Sequence, residues 1–310
     1  TEIKRIRAAL PQGTARVRKL IQRHHPAAII ANSLALTIVA RAAQPRGRVP
    51  VINVAHGWPA DRYWKVGPFM RVADVVVAVS PDVRDKLVAA GTDADRVKVV
   101  FNGVDCTDLA RREGAVRAAA RRDMGAHPDG PLVIAVGRLE SQKAHQNIIS
   151  MAARLATAHP SLRFAVVGCG SRQAELEALA EASGVADRVR FMGLRRDVAN
   201  LLGAADIYLN CSDWEGMPLT TIEAMASGLP IVATRTEGAA QLLNEACGAV
   251  VPVGDVEALA DAVAQLAGDP ERRQRMGQVA RTRALADFSH ERMTRELIDI
   301  VAQACDQQGQ

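Results

Sequence analysis

Two carboxylates eight residues apart stand out in the segment WEGMPLTTIEAMASGLPIVAT, because nearly everything around them is apolar. The first, Glu215, comes directly before Gly216, which permits unusual backbone conformations, and Pro218 suits the first turn of a helix. Residues 216–219 are therefore predicted to form a loop that enters a helix over 218–227. The first N–H groups of that helix would be unpaired and would lie at the positive end of its dipole. The loop is thus a predicted phosphate cradle that needs no metal.

The second carboxylate, Glu223, would lie one to two turns into a helix that carries no other charge. A carboxylate in such surroundings is unfavourable unless it accepts hydrogen bonds. Two kinds of donor fit equally well: the vicinal hydroxyls of a ribose, or the backbone N–H groups of a neighbouring loop.

A further group of candidate residues follows a predicted strand over 132–136. The sequence VGRLESQK places Gly137, Arg138 and Lys143 after this strand. In open α/β sheets, ligands bind at the carboxyl ends of the strands. Two cations and a glycine there suit a diphosphate, whereas an ordinary charged surface loop is the other interpretation.

A glycine-rich turn follows the predicted strand over 163–167. Gly168 and Gly170 begin it, but Gln173 stands where the G-x-G-x-x-G fingerprint has its third glycine. No acid at the end of a following strand is placed to bind a ribose in the dinucleotide manner. A structural turn is therefore favoured over a ligand site.

The elements that must position these residues alternate between short apolar runs and alanine-rich helical segments. Several runs lack the polar alternation of half-exposed strands, which indicates strands covered on both faces. The predicted strands are 28–31, 51–54, 75–79, 97–101, 132–136, 163–167, 190–192, 207–210 and 231–233. The predicted helices include 35–43, 81–90, 146–158, 172–182, 218–227 and 256–266. This order predicts an α/β fold with parallel sheets.

One break in the pattern divides the chain. The segment AHPDGP, residues 126–131, contains turn residues and no periodicity, so it is predicted to link two α/β domains. The predicted domains are 1–126 and 127–289. The last helix, within 290–310, has no strand after it and is predicted to pack back on the first domain.

The composition is that of a globular protein, with 48% hydrophobic and 24% charged residues in 310. Five scattered cysteines without a C-x-x-C pair indicate neither a zinc site nor a disulfide framework, which favours reduced thiols in the cytosol. The longest apolar stretch, 27–40, is too short to span a bilayer, and no signal peptide opens the sequence.

Charge is unevenly distributed along the chain. Residues 1–71 contain thirteen Lys and Arg but only two acids, although the whole chain has a net charge of only +5. This asymmetry favours an anionic partner such as lipid headgroups, phosphates or nucleic acid, and solvated helix faces are the alternative. Trp58 and Trp64, near Arg62 and Lys65, fit a membrane interface, an acceptor wall or simple packing.

The motifs occur in an order that resembles a known family. His56 and Gly57 follow a predicted strand, VVFNGVD occupies 99–105, and VGRLESQK and the glutamate pair follow. The E-x(7)-E pair within the frame EG-x-P…EAMA-x-G-x-P is the most specific piece. Together they resemble, over nearly the whole chain, the retaining glycosyltransferases of family four. That resemblance implies the glycosyltransferase-B fold, in which two Rossmann-like domains with parallel sheets face a cleft.

The resemblance also implies a role for each candidate residue around the donor phosphates. Arg138 and Lys143 would neutralise the donor diphosphate, with Gly137 beside them. Backbone groups of the loop would hold the phosphate and the sugar; its residues are Gly216, Met217, Pro218 and Leu219.

Other residues would contact the rest of the donor. Glu223 would bind the ribose hydroxyls, and the base would rest near Leu194 and Arg195. The implied catalytic residues are Glu215, which would orient the transferred sugar, and His56, which would reach the sugar from the first domain.

The implied activity is transfer of a hexosyl unit from a nucleotide-diphosphate sugar to an acceptor hydroxyl, with retention of anomeric configuration. The two glutamates would act as binding carboxylates, unlike the acid and nucleophile of retaining glycoside hydrolases. No metal and no cofactor beyond the donor are expected. The implied partners are the donor and a sugar or lipid-linked acceptor of the cell envelope, with no nucleic acid. The implied location is the cytoplasm, with peripheral contact to the inner membrane face.

The sequence departs from the family pattern at its beginning. The opening strand and glycine-rich loop of the family have no counterpart before residue 28, so the first domain is expected to be incomplete. Two alternatives therefore stay open beside the glycosyltransferase: a non-catalytic relative that binds nucleotide sugars, and a related nucleotide-sugar epimerase or synthase.

Overall fold

The computed structural model describes residues 2–44, 49–128 and 130–307, with the backbone alone for 2–10. Its strands are β1 Ile29–Ala31, β2 Val51–Ala55, β3 Val75–Ala78, β4 Val97–Val99, β5 Leu132–Val136, β6 Arg163–Val167, β7 Val189–Phe191, β8 Ile207–Asn210, β9 Ile231–Thr234 and β10 Gly248–Val251. Its helices are α1 Glu2–His24, α2 Leu34–Ala43, α3 Tyr63–Val66, α4 Pro81–Ala89, α5 Gly114–Asp123, α6 Gln146–Leu155, α7 Gln173–Ala182, α8 Val198–Ala204, α9 Leu219–Ala226, α10 Glu237–Leu242, α11 Val256–Gly268, α12 Pro270–Asp287 and α13 His290–Asp306.

The first compact unit combines Thr1–Phe101 with Glu291–Gln310. Its four strands are parallel, in the order β1-β2-β3-β4. Ile52 and Val77 lie in the buried core of this sheet, and Leu297 of α13 packs against it. The C-terminal helix therefore covers part of a sheet formed by the beginning of the chain.

Serine caps start two helices of this unit. Ser33 and Ser80 accept hydrogen bonds from the third residue beyond each of them, at the starts of α2 and α4. Both satisfy an N–H group that the helix itself leaves unpaired. Because each serine lies just after or close to a strand end, these caps fix where the chain turns from sheet to helix.

The second unit, Asn102–His290, contains a six-stranded parallel sheet in the order β10-β9-β8-β5-β6-β7. The chain builds outward from β5 through β6 to β7 and then returns to place β8 on the other side of β5. The direction in which successive strands are added therefore reverses between β5 and β8. In open α/β sheets, ligands bind at such a switch point. The loops after β5 and β8 are the ones that carry the Arg138–Lys143 and Glu215 motifs.

The two units divide at Phe101 and Asn102, upstream of the linker predicted at 126–131. The helix α5 between these points belongs to the second unit because its arginines bind that sheet. Arg117 and Arg121 contact Asp206 at 2.8 and 2.6 Å, and the Leu132 N–H donates to the same carboxylate at 2.8 Å. The turn residues of 126–131 thus connect α5 to β5 within one unit.

We expect Asp206→Asn to destabilise the protein by about 3 kcal/mol, because the partly buried Arg117 and Arg121 lose their counter-charge. The Asp206 side chain is only 11% exposed, so water compensates little for the loss. Urea denaturation of the full chain measures this difference. Asp261→Asn, at an exposed position of α11, is the matched control. Equal unfolding free energies for the two variants would contradict the expected role of Asp206.

Candidate functional site

A buried ion pair joins the loops after β5 and β8. The Lys143 ammonium contacts Oε1 of Glu215, and the Ser212 hydroxyl donates to the same oxygen at 2.9 Å. The lysine and glutamate side chains are only 15% and 11% exposed. Each charge therefore compensates the other in a place where either alone would be unfavourable.

Further hydrogen bonds hold the same two loops side by side. The Gln142 side chain donates to the Trp214 carbonyl at 2.9 Å, and the Asp213 N–H donates to the Gln142 carbonyl at 2.9 Å. The loops are thus fixed relative to each other by both backbone and side-chain contacts, which positions Lys143 against Glu215.

The glycine and arginine at the end of β5 leave this region open to a ligand. A Cβ atom on Gly137 would lie 3.2 Å from Cε of Lys143, so the lysine side chain lies directly over the glycine. Arg138 is exposed, and its side chain forms no hydrogen bond or ion pair with any residue that the structure describes, while its carbonyl accepts from the Glu140 N–H at 2.8 Å. Its guanidinium is available to an anion.

The loop that enters α9 presents backbone donors. The N–H groups of Gly216, Met217, Leu219 and Thr220 donate to no acceptor in the described part of the chain. The Met217 carbonyl is held by the Asn102 side chain at 3.0 Å. The loop is therefore anchored through its carbonyl while its N–H groups stay unpaired, as the phosphate-cradle prediction requires.

A second helix start approaches the same loop. A Cβ atom on Gly238, in α10, would lie 2.7 Å from both Cα of Met217 and Cδ of Pro218. The Gly238 N–H donates to the Glu215 carbonyl at 3.1 Å. Only glycine permits this approach, so Gly238 helps to shape the loop.

Glu223 faces a cavity of about 270 Å³ within the second unit. Its carboxylate accepts no hydrogen bond from the residues that the structure describes, so no described backbone N–H caps it. Burial raises the pKa of Glu223 above its ordinary value. The other residues lining the cavity are Val104, Asp105, Asp108, Leu109, Val198 and Ala199.

The loop after β7 carries Leu194 and Arg195 on the other side of β5. Leu194 is 77% exposed. Arg195 is held by Asp197 at 2.8 Å and by Asp123 at 2.6 Å, and these hydrogen bonds raise its pKa. The exposed leucine is therefore free for an apolar contact, whereas the arginine is already committed to two carboxylates.

The glycine-rich turn after β6 has a packing role. A Cβ atom on Gly168 would lie 1.9 Å from the Gly137 carbonyl oxygen, and one on Gly170 would lie 2.4 Å from that of Leu139. These glycines let the turn pack against the loop after β5, in line with the structural turn predicted from the sequence.

His56 belongs to the first unit and follows β2 directly. Its side chain keeps contact with solvent, while desolvation by the surrounding protein lowers its pKa. Gly57 after it has a positive φ of 91°, a conformation that favours glycine. Nearby, the rings of Trp58 and Tyr63 pack edge to face with centroids 5.7 Å apart.

The amino-acid sequence matches the models of two known protein families. A family model described as glycosyl transferases group 1 matches residues 116–283, more than half of the chain. The chain belongs to this family. A second model, glycosyltransferase family 4, matches residues 3–108. The resemblance inferred from the motifs is thereby confirmed at the level of the family.

Curated relatives are also glycosyltransferases. The lipopolysaccharide core biosynthesis glycosyltransferase LpsE of Rhizobium meliloti is 28% identical over 235 residues, which cover 76% of this chain and 66% of LpsE. A D-inositol 3-phosphate glycosyltransferase of Saccharomonospora viridis is 33% identical over 290 residues, covering 84% of this chain and 66% of that protein. The chain thus spans about two thirds of the length of these relatives.

Solved structures share the fold. HepE of Anabaena in complex with UDP and glucose matches with a TM-score of 0.84 at 23% identity, covering 92% of this chain and 80% of HepE. Sucrose-phosphate synthase of Thermosynechococcus elongatus matches with a TM-score of 0.84 at 22% identity, covering 96% and 78%. The predicted α/β class with parallel sheets is confirmed.

All five cysteines of this glycosyltransferase are free thiols. Within residues 11–44, 49–128 and 130–307, no three or more His, Cys, Asp or Glu side chains lie close enough together to hold a metal ion. Over the same residues, no helix has both the length and the apolar character needed to cross a bilayer.

Several site residues were missed by the sequence analysis. Ser212, Gln142 and Gly238 all support the glutamate loop, yet none was named as a candidate. A signal existed for Gly238, because the threonine and glutamate before it form a helix start directly after β9, the neighbour of β8. The contacts of Gln142 and Ser212 have no local sequence signal.

His145 lies two residues after Lys143 and directly before α6. It is buried, its Nδ1 has no hydrogen-bond partner among the described residues, and it borders a cavity of about 10 Å³ that Lys143 and Ser212 also line. Burial, together with the charges of Lys143 and Arg172, lowers the pKa of His145 to about 4. The imidazole is therefore neutral at pH 7.

We expect the free energy of unfolding to fall as the pH decreases from about 6.5 to about 4. In this range His145 binds a proton in the unfolded chain but stays neutral in the folded one. The loss should approach 3 kcal/mol at the acid end, which is the order of magnitude for such a shift. Unfolding free energies of the native chain and His145→Gln, measured at pH 7 and pH 4.5, check this.

The His145→Gln variant should lack this component, so its stability should fall less steeply with acid than that of the native chain. The control is His24→Gln at an exposed position, which should follow the native profile. Parallel profiles for native chain and His145→Gln would show that the buried imidazole is not the cause.

Proposed function

We propose that this glycosyltransferase transfers a hexosyl unit from a nucleotide-diphosphate sugar to an acceptor hydroxyl and keeps the anomeric configuration. The observation that carries the proposal is the unpaired Glu223 carboxylate in the same unit as a loop with unpaired N–H groups. A ligand with hydroxyl donors at one end and phosphates at the other would satisfy both.

The diphosphate would bind at the carboxyl ends of β5 and β8. Lys143 has three N–H donors, and its bond to Glu215 leaves others for phosphate oxygens. Arg138 adds a guanidinium with no competing ion pair, and the loop before α9 adds backbone donors. These groups would stabilise the charge that develops as the glycosyl–phosphate bond breaks.

Glu223 would bind the ribose of the donor. Its carboxylate is desolvated and has no hydrogen-bond partner among the described residues. Hydrogen bonds from two ribose hydroxyls would therefore stabilise its ionised form. The cavity beside it provides the space. The base would extend towards Leu194, whose exposed side chain offers an apolar surface.

Glu215 would orient the transferred sugar. Its Oε1 is occupied by Lys143 and Ser212, but Oε2 accepts no hydrogen bond from any described residue and is free for a sugar hydroxyl. Because Lys143 neutralises its charge, we assign Glu215 to binding rather than to nucleophilic attack. The leaving diphosphate would assist deprotonation of the acceptor, and His56 would contribute from the first unit.

Relatives support the class of donor and acceptor. HepE was solved with UDP-glucose, and another relative is named as a GDP-mannose-dependent phosphatidylinositol monomannoside mannosyltransferase of Corynebacterium glutamicum. We therefore infer a nucleotide-sugar donor and a cell-envelope acceptor for this chain. Free thiols support a cytoplasmic location.

We expect Glu223→Ala to lower kcat/KM by about 30–100-fold, because losing two hydrogen bonds from a carboxylate corresponds to roughly 2–3 kcal/mol. The assay incubates the chain with labelled UDP- and GDP-sugars and measures transfer and donor hydrolysis. Glu245→Ala, at an exposed position, is the control and should keep full activity.

The same assay separates the alternatives. Nucleotide binding without turnover would favour a non-catalytic relative, and conversion of the nucleotide sugar without transfer would favour an epimerase. Transfer only to a soluble sugar phosphate would favour a synthase. Absence of nucleotide binding would overturn all of these. Proton NMR of the product would test retention through its anomeric coupling.

We also infer peripheral contact with an anionic membrane through the first unit. In α1, Arg16, Lys19 and Arg23 are exposed, and elsewhere in the unit Trp64 is 66% and Phe69 57% exposed. Basic side chains with exposed aromatic rings suit an interface with acidic headgroups. Other basic residues of the region lie outside the described side chains: Lys4, Arg5, Arg7, Arg46 and Arg48.

The protein is therefore expected to float with vesicles that contain anionic lipid and to stay unbound with neutral ones. Replacing Arg16, Lys19 and Arg23 by Gln should weaken binding roughly 100-fold, since each charge near the surface contributes about 1 kcal/mol. Equal binding to neutral vesicles, or none to either kind, would remove this inference.

A further inference from the structure

The second unit contains a basic cavity at the opposite edge of its sheet from the donor site. Its volume is about 420 Å³. Asp206 and Pro230, which immediately precede β8 and β9, line it, so it lies at the amino ends of these parallel strands. Strands of this length separate it by about 15 Å from the loops that follow them.

Five arginines but only two carboxylates line the cavity. The two acids are Glu113 and Asp206, and the arginines are Arg111, Arg112, Arg117, Arg273 and Arg281. Asp206 is already committed, because Arg117, Arg121 and the Leu132 N–H all bind it. The cavity therefore has a net positive charge that its own acids do not balance.

Two of these arginines use part of their guanidinium group for structural contacts. Arg273 donates through one nitrogen, Nη1, to carbonyls of Leu266 and Ala267 at the end of α11. Arg281 likewise uses Nη1 for carbonyls of Leu109 and Ala226. Two of these carbonyls, those of Ala267 and Ala226, lie in the last turns of α11 and α9, where carbonyls lack partners within the helix. These contacts leave Nη2 of both arginines without an acceptor among the described residues.

Repulsion between these cations adds to the imbalance. Desolvation lowers the pKa of Arg111 and of Arg273; Asp206 opposes this shift, whereas the charges of Arg117 and Arg121 add to it. The side of α12 from Pro270 to Arg281 also borders the cavity, and its first turn adds the positive end of the helix dipole to this lining. An anion in the cavity would relieve both effects.

We propose that this cavity binds a small, multiply charged phosphate compound at a site separate from the donor. Planar guanidinium groups bind phosphate oxygens through paired hydrogen bonds, and at least Arg117, Arg273 and Arg281 have nitrogens available for them. The excess of positive charge favours two or more phosphoryl charges over a single one. Neutral sugars gain nothing from such a lining.

Calorimetric titration with inorganic pyrophosphate tests the proposal on the full chain. A background of Lys143→Ala with Arg138→Ala removes both donor-site cations, so that the difference between cavity and control variants in this background reports on the cavity. In that background, adding Arg117→Gln and Arg273→Gln should weaken pyrophosphate binding at least tenfold. The matched control adds Arg122→Gln and Arg275→Gln, which lie on the same two helices at exposed positions outside the cavity.

A second variant keeps every arginine contact. Gln278 lines the cavity from α12, and its side chain forms no hydrogen bond with a described residue. Gln278→Glu adds a negative charge there and should weaken pyrophosphate binding at least threefold, whereas Gln303→Glu in the first unit should not. Unchanged binding in Gln278→Glu, or equal losses in the two arginine pairs, would overturn the proposal. Loss of all pyrophosphate binding in the background of Lys143→Ala with Arg138→Ala alone would also overturn it, because binding would then belong to the donor site.

Discussion

The pairing of β5 with β8 is the constraint on which the rest of the second unit depends. Val133 and Ile134 of β5 lie opposite Ile207 and Tyr208 of β8, and this is where the strand order changes direction. The pairing places two loops side by side that are 72 residues apart in sequence, and their ion pair then forms between Lys143 and Glu215. A parallel sheet needs long crossovers between paired strands, so the helices between β5 and β8 are a consequence of this arrangement.

Three carboxylates of this unit differ in how completely the protein satisfies them. Asp206 has partners on both oxygens, Glu215 on one oxygen, and Glu223 on neither within the described residues. Burial without partners is unfavourable for a carboxylate, so the protein alone does not explain Glu223. The number of hydrogen-bond partners therefore distinguishes three roles. Asp206 is structural, Glu215 has one oxygen left for a ligand, and Glu223 has both. The basic cavity differs from ordinary helix caps in the same way, because its arginines outnumber its acids and keep nitrogens without acceptors among the described residues.

Much of the fold could be predicted from the sequence because buried parallel strands are short apolar runs. The strands over 132–136, 163–167 and 207–210 agree with the structure residue for residue. The helix α12 was missed because it is rich in charge and carries little apolar periodicity, and α1 was missed because it is rich in charge and contains Pro11 in its interior. The site could be predicted where glycine, proline and charge stand together, as around Glu215. Its pairing with Lys143 could not, because no local pattern reports which loops the sheet brings together.

The helix α13 has a consequence for how the protein can form. Its residues pack on a sheet made by the first hundred residues, and the Cys305 thiol contacts the Ala27 carbonyl across 278 positions of sequence. Contacts over such separations are slow to form, since the intervening chain must be ordered or closed into a loop first. During synthesis, the second unit emerges complete before the first unit receives its final helix. The sheet of the first unit is therefore synthesised before the second unit but covered by α13 only after it, and until then part of its apolar surface stays exposed.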